Sequence, residues 1–369
     1  MRLHVVSFQV PFPADYGGAI DVYYKLKALH SEGFDITLHT FFYDSRTPQP
    51  CLETICRRVF YYPRKTGWTK QFSTLPYIVA SRTSPQLLAN LCADDAPILF
   101  EGLHTCLYLA HPALRTRRKY VRMHNVEHAY YLQLAHQAHW NWRTLFYRIE
   151  SWRLKRFEKQ LIHADGIAAI TDADCRYFAQ RLPGTEVFHL PCFFDAEISA
   201  TTTATQPFVL YHGNLAVEEN SRVVKFILQE IVPLCPEVRF IIAGRNPSFD
   251  IIAGNVSIIA NPTDEQLDEL LRTARIHLML TFQPTGIKLK LLNALVKGNG
   301  HIIANAAMLH GHDFGRFCTL AETPRQVCES IRNLLPTPPT AEALEARHEA
   351  ILQMAEEGRR GLHRFAPNA

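Results

Sequence analysis

Residues 282–298 place a Pro-Thr-Gly turn and two lysines at the mouth of an apolar helical run, directly after the strand-like stretch 276–281. Thr285 and Gly286 can expose backbone donors, and Lys288 and Lys290 supply positive charge. Such a set suits a phosphorylated ligand, because a helix mouth offers unpaired N–H groups and ammonium groups pair with phosphate oxygens. Residues two apart point differently on a helix, so spacing alone does not aim both lysines at one ligand. Asn293 follows Lys290 by about a turn and can hydrogen-bond a ribose hydroxyl. The plainer reading is a core helix carrying solvated lysines, with Leu289, Leu291, Leu292 and Leu295 packed inward.

Four other loops follow strand-like runs, where open α/β sheets gather their ligands. Gly17 and Gly18 lie between the first strand and the first helix, where paired glycines permit close backbone approach. The spacing is not GxGxxG, so a dinucleotide fingerprint is not supported. Residues 122–128 bring together His124, Asn125, Glu127 and His128. His124 can donate to a sugar hydroxyl or phosphate, Asn125 can bind hydroxyls, and Glu127 and His128 can contact an acceptor or orient the loop. Gly213 permits close approach at the end of 208–211, and Asn214 beside it can contact a diphosphate or sugar. Arg245 closes the next strand and can pair with phosphate or form a surface ion pair.

The elements that would position these loops alternate between strand and helix. Strands are expected at 3–8, 35–42, 97–101, 119–123, 166–170 and 186–190, and a helix at 19–31. The small, polar stretch 201–207 marks a boundary, after which the pattern restarts. Strands are then expected at 208–211, 238–243, 255–260, 276–281 and 301–304, with helices at 220–231 and 264–274. The expected class is α/β, with two Rossmann-like domains facing a central cleft. Their expected bounds are 1–200 and 207–345, with a helical segment, 346–369, returning to the first domain.

Bulk composition narrows the field. The 369 residues are 47% hydrophobic, enough for two substantial cores. Lysine and arginine number 39 against 35 acids, a net charge of +4, which gives no case for nucleic acid. The nine cysteines form no CxxC pair, and no compact carboxylate cluster argues for a metal. No run approaches the roughly 18 apolar residues of a spanning helix, and the first residues enter a strand without a leader's apolar stretch. A cytoplasmic chain is expected. The segment 140–159 sets Trp142, Leu145, Phe146, Ile149 and Trp152 at helical spacing among six basic residues. It reads either as a helix packed into the first domain or as a peripheral contact with an anionic membrane at its inner face.

Together, Gly17-Gly18, His124-Asn125, Gly213-Asn214, the loop at Arg245 and the run from Thr285 to Asn293 resemble the retaining GT-B-fold glycosyltransferases. That large family includes sucrose synthases and bacterial lipopolysaccharide and mannosyl transferases. The resemblance implies a hexosyltransferase of polysaccharide biosynthesis at the cell envelope. It would use a nucleoside diphosphate sugar as donor substrate, a glycan or lipid-linked saccharide as acceptor, and no cofactor or metal. It places His124 against the transferred sugar. The donor would meet Gly17, Gly18, Gly213, Asn214, Arg245, Thr285, Gly286, Lys288, Lys290 and Asn293. The family often carries two glutamates with seven residues between them, and Thr285 and Asn293 stand at those positions. A catalytically weakened glycan- or nucleotide-binding partner and a sugar-nucleotide epimerase are the alternatives.

Overall fold

The computed structural model describes residues 1–44, 46–67, 73–137, 142–198, 204–245, 254–283, 288–311 and 314–366. The chain divides into two compact units, Met1–Asp195 with Ala355–Ala369, and Ala196–Met354. Each is built on one parallel sheet.

The first sheet contains β1 (Arg2–Ser7), β2 (Asp35–Phe42), β3 (Arg58–Pro63), β4 (Ile98–Glu101), β5 (Lys119–Met123), β6 (Gly166–Ala169) and β7 (Glu186–His189). Their spatial order is β3-β2-β1-β4-β5-β6-β7. The central strands β1, β4 and β5 are buried along nearly their whole length, as strands covered on both faces are. The helix Gly17–Ser31 follows β1 and buries Val22, Leu26 and Leu29. The strand β3 was not expected. It lies at the sheet edge, where half-buried Phe60 and Tyr61 and the terminal Pro63 are tolerated, while Tyr62 packs into the core.

The second sheet contains β8 (Gln206–Asn214), β9 (Arg239–Arg245), β10 (Val256–Ala260), β11 (Ala274–Met279), β12 (His301–Ala304) and β13 (Thr319–Leu320). Their order is β10-β9-β8-β11-β12-β13. Two of its helices begin with reciprocal capping boxes, Thr263 with Gln266 and Thr323 with Gln326. Gly244 is required by close backbone approach, since a Cβ there would stand 2.0 Å from the Gly213 carbonyl oxygen.

The end of the chain joins the first unit's core. Leu362 and Phe365 are fully buried there, and the Phe365 ring lies 5.2 Å from Tyr120 and 6.2 Å from Phe188.

The helix Trp142–Phe157 corrects the packed-stripe reading. Its apolar stripe faces outward, with Trp142 71% and Trp152 62% exposed. Its inner face carries Thr144, Glu150, Ser151, Leu154 and Phe157. The polar members are satisfied there: Glu150 accepts from the Tyr77 backbone N–H at 2.7 Å, and Ser151 donates to the His128 carbonyl at 2.8 Å. Trp140 lies outside the described residues.

Candidate functional site

In both sheets the strand order reverses beside the first strand of the unit, between β1 and β4 and between β8 and β11. Open parallel sheets gather ligands outside the carboxyl ends of strands at such a reversal. Both reversals carry polar clusters.

In the first unit, Asp21 and Lys25 sit four residues apart on the helix after β1. Glu101 ends β4, and Arg122 and His124 close β5. The Lys25 ammonium is 3.0 Å from Asp21 Oδ2 and 2.9 Å from Glu101 Oε2, and all three side chains are fully buried. Arg122 donates to Asp21 at 3.1 Å and to the Pro191 carbonyl at 3.0 Å, with a further bond to the Leu190 carbonyl. The Phe193 N–H reaches Asp21 Oδ1 at 2.7 Å. His124 Nε2 lies 3.1 Å from Glu101 Oε2, and its ring meets Phe8 edge-on at 5.5 Å.

Two carboxylates thus face two permanent cations. Burial pushes the Asp21 carboxyl upward, but Arg122 and Lys25 more than offset it and hold Asp21 well below the ordinary range. Burial likewise raises Glu101, and Lys25 and His124 bring it below its usual value. Asp21, Glu101 and His124 each offer a metal-ligating atom within 4.8 Å of the others. The Lys25 ammonium already bridges the two carboxylates. Among the described residues, Glu101 Oε1 and His124 Nδ1 have no hydrogen-bond partner. Gly102 follows Glu101 with φ of +68°, which turns the chain away at the sheet's end.

The rest of the 122–128 loop divides by environment. Glu127 is buried and hydrogen-bonded by the Asn125 side chain, and burial raises its carboxyl to about 8. His128 turns toward the fold, with Nδ1 3.1 Å from Glu158 Oε2 and Nε2 3.5 Å from the Tyr177 hydroxyl. Gly17 and Gly18 open the helix after β1, and a Cβ on Gly18 would stand 2.8 Å from Phe8 Cζ.

In the second unit, Lys290 spans the strand reversal. Its ammonium donates to the Tyr211 hydroxyl at 3.1 Å, Asn220 Oδ1 at 3.0 Å and the Leu280 carbonyl at 3.0 Å. Tyr211 belongs to β8 and Leu280 follows β11. Lys288, at the start of the helix Leu289–Lys297, donates to the Gln283 carbonyl. Burial lowers both ammonium groups to about 8, against the pull of Glu219. The Thr281 hydroxyl donates to Glu219, and Thr281 is tied to Asn305 through its backbone at 2.7 and 3.2 Å. His212 is buried and neutral, its imidazole lowered to about 3 by burial and by the Lys290 charge.

Asn214 ends β8, with its side-chain oxygen accepting from the Ala216 N–H at 3.1 Å. In register across from it, Arg245 ends β9 and is exposed. Beside Asn214, a Cβ on Gly213 would stand 3.3 Å from Asn220 Nδ2. Asn293 is half-buried on the helix Leu289–Lys297. Thr285 and Gly286 lie outside the described residues.

The structure therefore brings Gly213, Asn214, Lys288 and Lys290 to one end of the second sheet, and His124 to the corresponding end of the first. Sequence reasoning missed Asp21, Lys25, Glu101, Arg122 and Glu219 as members of these clusters. A signal existed for the first pair, since Asp21 and Lys25 are opposite charges at i,i+4 amid Val22, Leu26 and Leu29. Two cavities, of about 190 and 400 Å³, are lined by residues including Arg2 and His4 in the first unit and Pro207 and Arg275 in the second. These mark amino-terminal strand ends, away from both clusters.

No family model matches the chain. A Klebsiella pneumoniae protein described as an uncharacterized 44.6 kDa protein in the cps region is 25% identical over 318 residues, covering 80% of each chain. Among solved structures, the sucrose-phosphate synthase of Thermosynechococcus elongatus matches all of both chains at a TM-score of 0.69 and 13% identity. An E. coli trehalose-6-phosphate structure bound with UDP-2-fluoro glucose matches 99% of each at 0.62 and 11%. The Burkholderia xenovorans α,α-trehalose-phosphate synthase (UDP-forming), in complex with glucose-6-phosphate, matches 99% of each at 0.60 and 12%. At such identities the likeness is one of fold. The chain has the GT-B fold, the two-sheet architecture of these glycosyltransferases.

Proposed function

We propose that the chain is a retaining glycosyltransferase, moving a hexose from a nucleoside diphosphate sugar to a glycan or lipid-linked saccharide in the cytoplasm. The observation that carries this reading is the cationic cluster at the strand reversal of the second sheet, on a GT-B fold. Fold neighbours hold UDP-2-fluoro glucose and glucose-6-phosphate, which agrees with a nucleotide-sugar donor and a carbohydrate acceptor. The cps-region relative agrees with a role in cell-envelope polysaccharide.

In this reading Lys288, Asn214 and Arg245 receive the diphosphate. Lys290 already directs three N–H donors at protein acceptors, so it holds β8, the helix after it and β11 together while adding positive charge. Charge building on the departing diphosphate is what these groups stabilise. Asn293 takes a ribose hydroxyl. The acceptor hydroxyl attacks from the face of phosphate departure and passes its proton to that phosphate, so no protein nucleophile is needed. Glu101 fixes the His124 ring, which contacts the transferred hexose. Gly17 and Gly18 leave the first helix's N-terminus open to the donor phosphate.

Asn293 and Thr285, where acids are often found, favour the second reading of a weakened glycan- or nucleotide-binding partner. Transfer of a labelled hexose to a saccharide acceptor separates the two. Turnover rejects the binding-partner reading, and donor binding without turnover across a broad acceptor panel rejects the transferase.

A further inference from the structure

The helix Trp142–Phe157 exposes what a water-facing helix normally hides. Trp142, Leu145, Ile149 and Trp152 are 71, 58, 40 and 62% exposed. They follow one another at steps of three and four residues, which line a single helix face. The inward-facing residues already satisfy the fold, so the outward stripe is not needed to pack it. Two tryptophans ten residues apart stand about 15 Å apart along the axis.

The charges around this stripe are one-sided. Arg143, Arg148, Lys155, Arg156 and Lys159 are exposed, while the acids of the same segment, Glu150 and Glu158, are buried. Those acids are engaged inside: Glu150 holds Arg153 at 2.7 Å, and Glu158 holds the Tyr177 hydroxyl at 2.8 Å. Arg156 continues the stripe from Trp152, with its guanidinium 5.9 Å from that ring. The surface is therefore far more basic than a chain of net charge +4 would lead one to expect.

We infer that this face is a docking surface for an anionic lipid bilayer, with the tryptophans and aliphatic side chains entering the headgroup boundary and the cations meeting lipid phosphates. Tryptophan suits that boundary because its ring is apolar and its N–H is polar. Basic residues beside an apolar helical stripe are the composition of in-plane surface helices. A second copy of the chain would set the same five cations against each other, which disfavours self-association. The inference stands apart from the proposed transfer reaction, since it is read without any sugar present.

The test is co-sedimentation of the full chain with vesicles of phosphatidylcholine alone and of phosphatidylcholine mixed with phosphatidylglycerol. Binding is expected to be at least about tenfold tighter on the mixed vesicles and to fall as salt rises. The double variant Trp142→Ser/Trp152→Ser should lose at least about tenfold in affinity on the mixed vesicles with its melting temperature unchanged, because both rings are exposed. Arg148→Gln/Lys155→Gln should weaken binding to the anionic vesicles selectively. No binding at low salt, equal binding to both vesicle types, or variants that bind as the parent does would each overturn the inference. So would a concentration-dependent dimer that the tryptophan variant abolishes without a change in vesicle binding.

Discussion

Lys25 and Glu101 lie 76 residues apart in sequence and 2.9 Å apart in the fold, with neither side chain exposed. This contact ties the helix after β1 to the end of β4, across the strand reversal of the first sheet. The same carboxylate oxygen of Glu101 also meets His124, so one salt bridge fixes the ring nearest the proposed chemistry. Glu101 and Arg122 are register partners on adjacent strands, yet each serves a different neighbour.

Lys25→Met should be strongly destabilising. It leaves Asp21 and Glu101 with only Arg122 as a permanent cation, and breaking a buried pair costs about 3–5 kcal/mol. Chemical denaturation reads this as a lower midpoint. A loss below about 1 kcal/mol would mean that the buried charges are independent.

His124→Ala tests a different link. It removes one hydrogen bond from Glu101 but leaves Lys25 in place, so melting should shift by only a few degrees. Hexose transfer under donor-limited conditions should drop on the order of a hundredfold. Unchanged turnover would remove His124 from the reaction.

Lys288 and Lys290 should separate under mutation. Lys288→Ala should weaken nucleotide affinity by about tenfold in calorimetry, as expected for a charge-assisted contact. Lys290→Ala should lower stability more than Lys288→Ala, because it strips partners from the Tyr211 hydroxyl, Asn220 and the Leu280 carbonyl. Equal effects in both measurements would contradict the division of roles.

The sequence made the two sheets and their loops readable because continuous apolar runs ended in small or polar residues. The buried charges were harder to see. Glu101 and Arg122 occupy strand ends 21 positions apart, where nothing local shows that they become neighbours through β4 and β5. Lys290 illustrates the other limit. Its spacing from Lys288 was visible, but its acceptors come from β8, the helix after it and the segment after β11. The stripe on Trp142–Phe157 was legible as a stripe; which side it faced depended on Glu150 and Ser151 finding partners inside.

Donor binding should also depend on pH. The free enzyme's Lys288 ammonium titrates at about 8 because of burial, and a bound diphosphate favours its charged form. Affinity should therefore be highest below pH 8 and fall above it, by up to about tenfold per unit until the bound form also titrates. A flat calorimetric profile from pH 7 to pH 10 (roughly spanning the free value and the ordinary lysine value) would exclude this role.

Glu127 gives a stability prediction of opposite character. Its folded carboxyl titrates at about 8 and its unfolded one near 4.5, so folding above pH 4.5 requires proton uptake. The stability held at low pH is lost as pH rises toward 8. Glu127→Gln should therefore stabilise the fold at pH 7 by up to about 3 kcal/mol and have little effect near pH 4. Destabilisation at pH 7 would show that the ionised carboxylate is the form the fold requires.

The most direct test of the transferase reading is incubation with nucleoside diphosphate sugars and a panel of glycan and lipid-linked saccharide acceptors, followed by mass spectrometry. The account predicts acceptors heavier by one hexose, matched by release of nucleoside diphosphate and with the anomeric configuration of the donor retained. Tight donor binding with no hexose on any acceptor would contradict it.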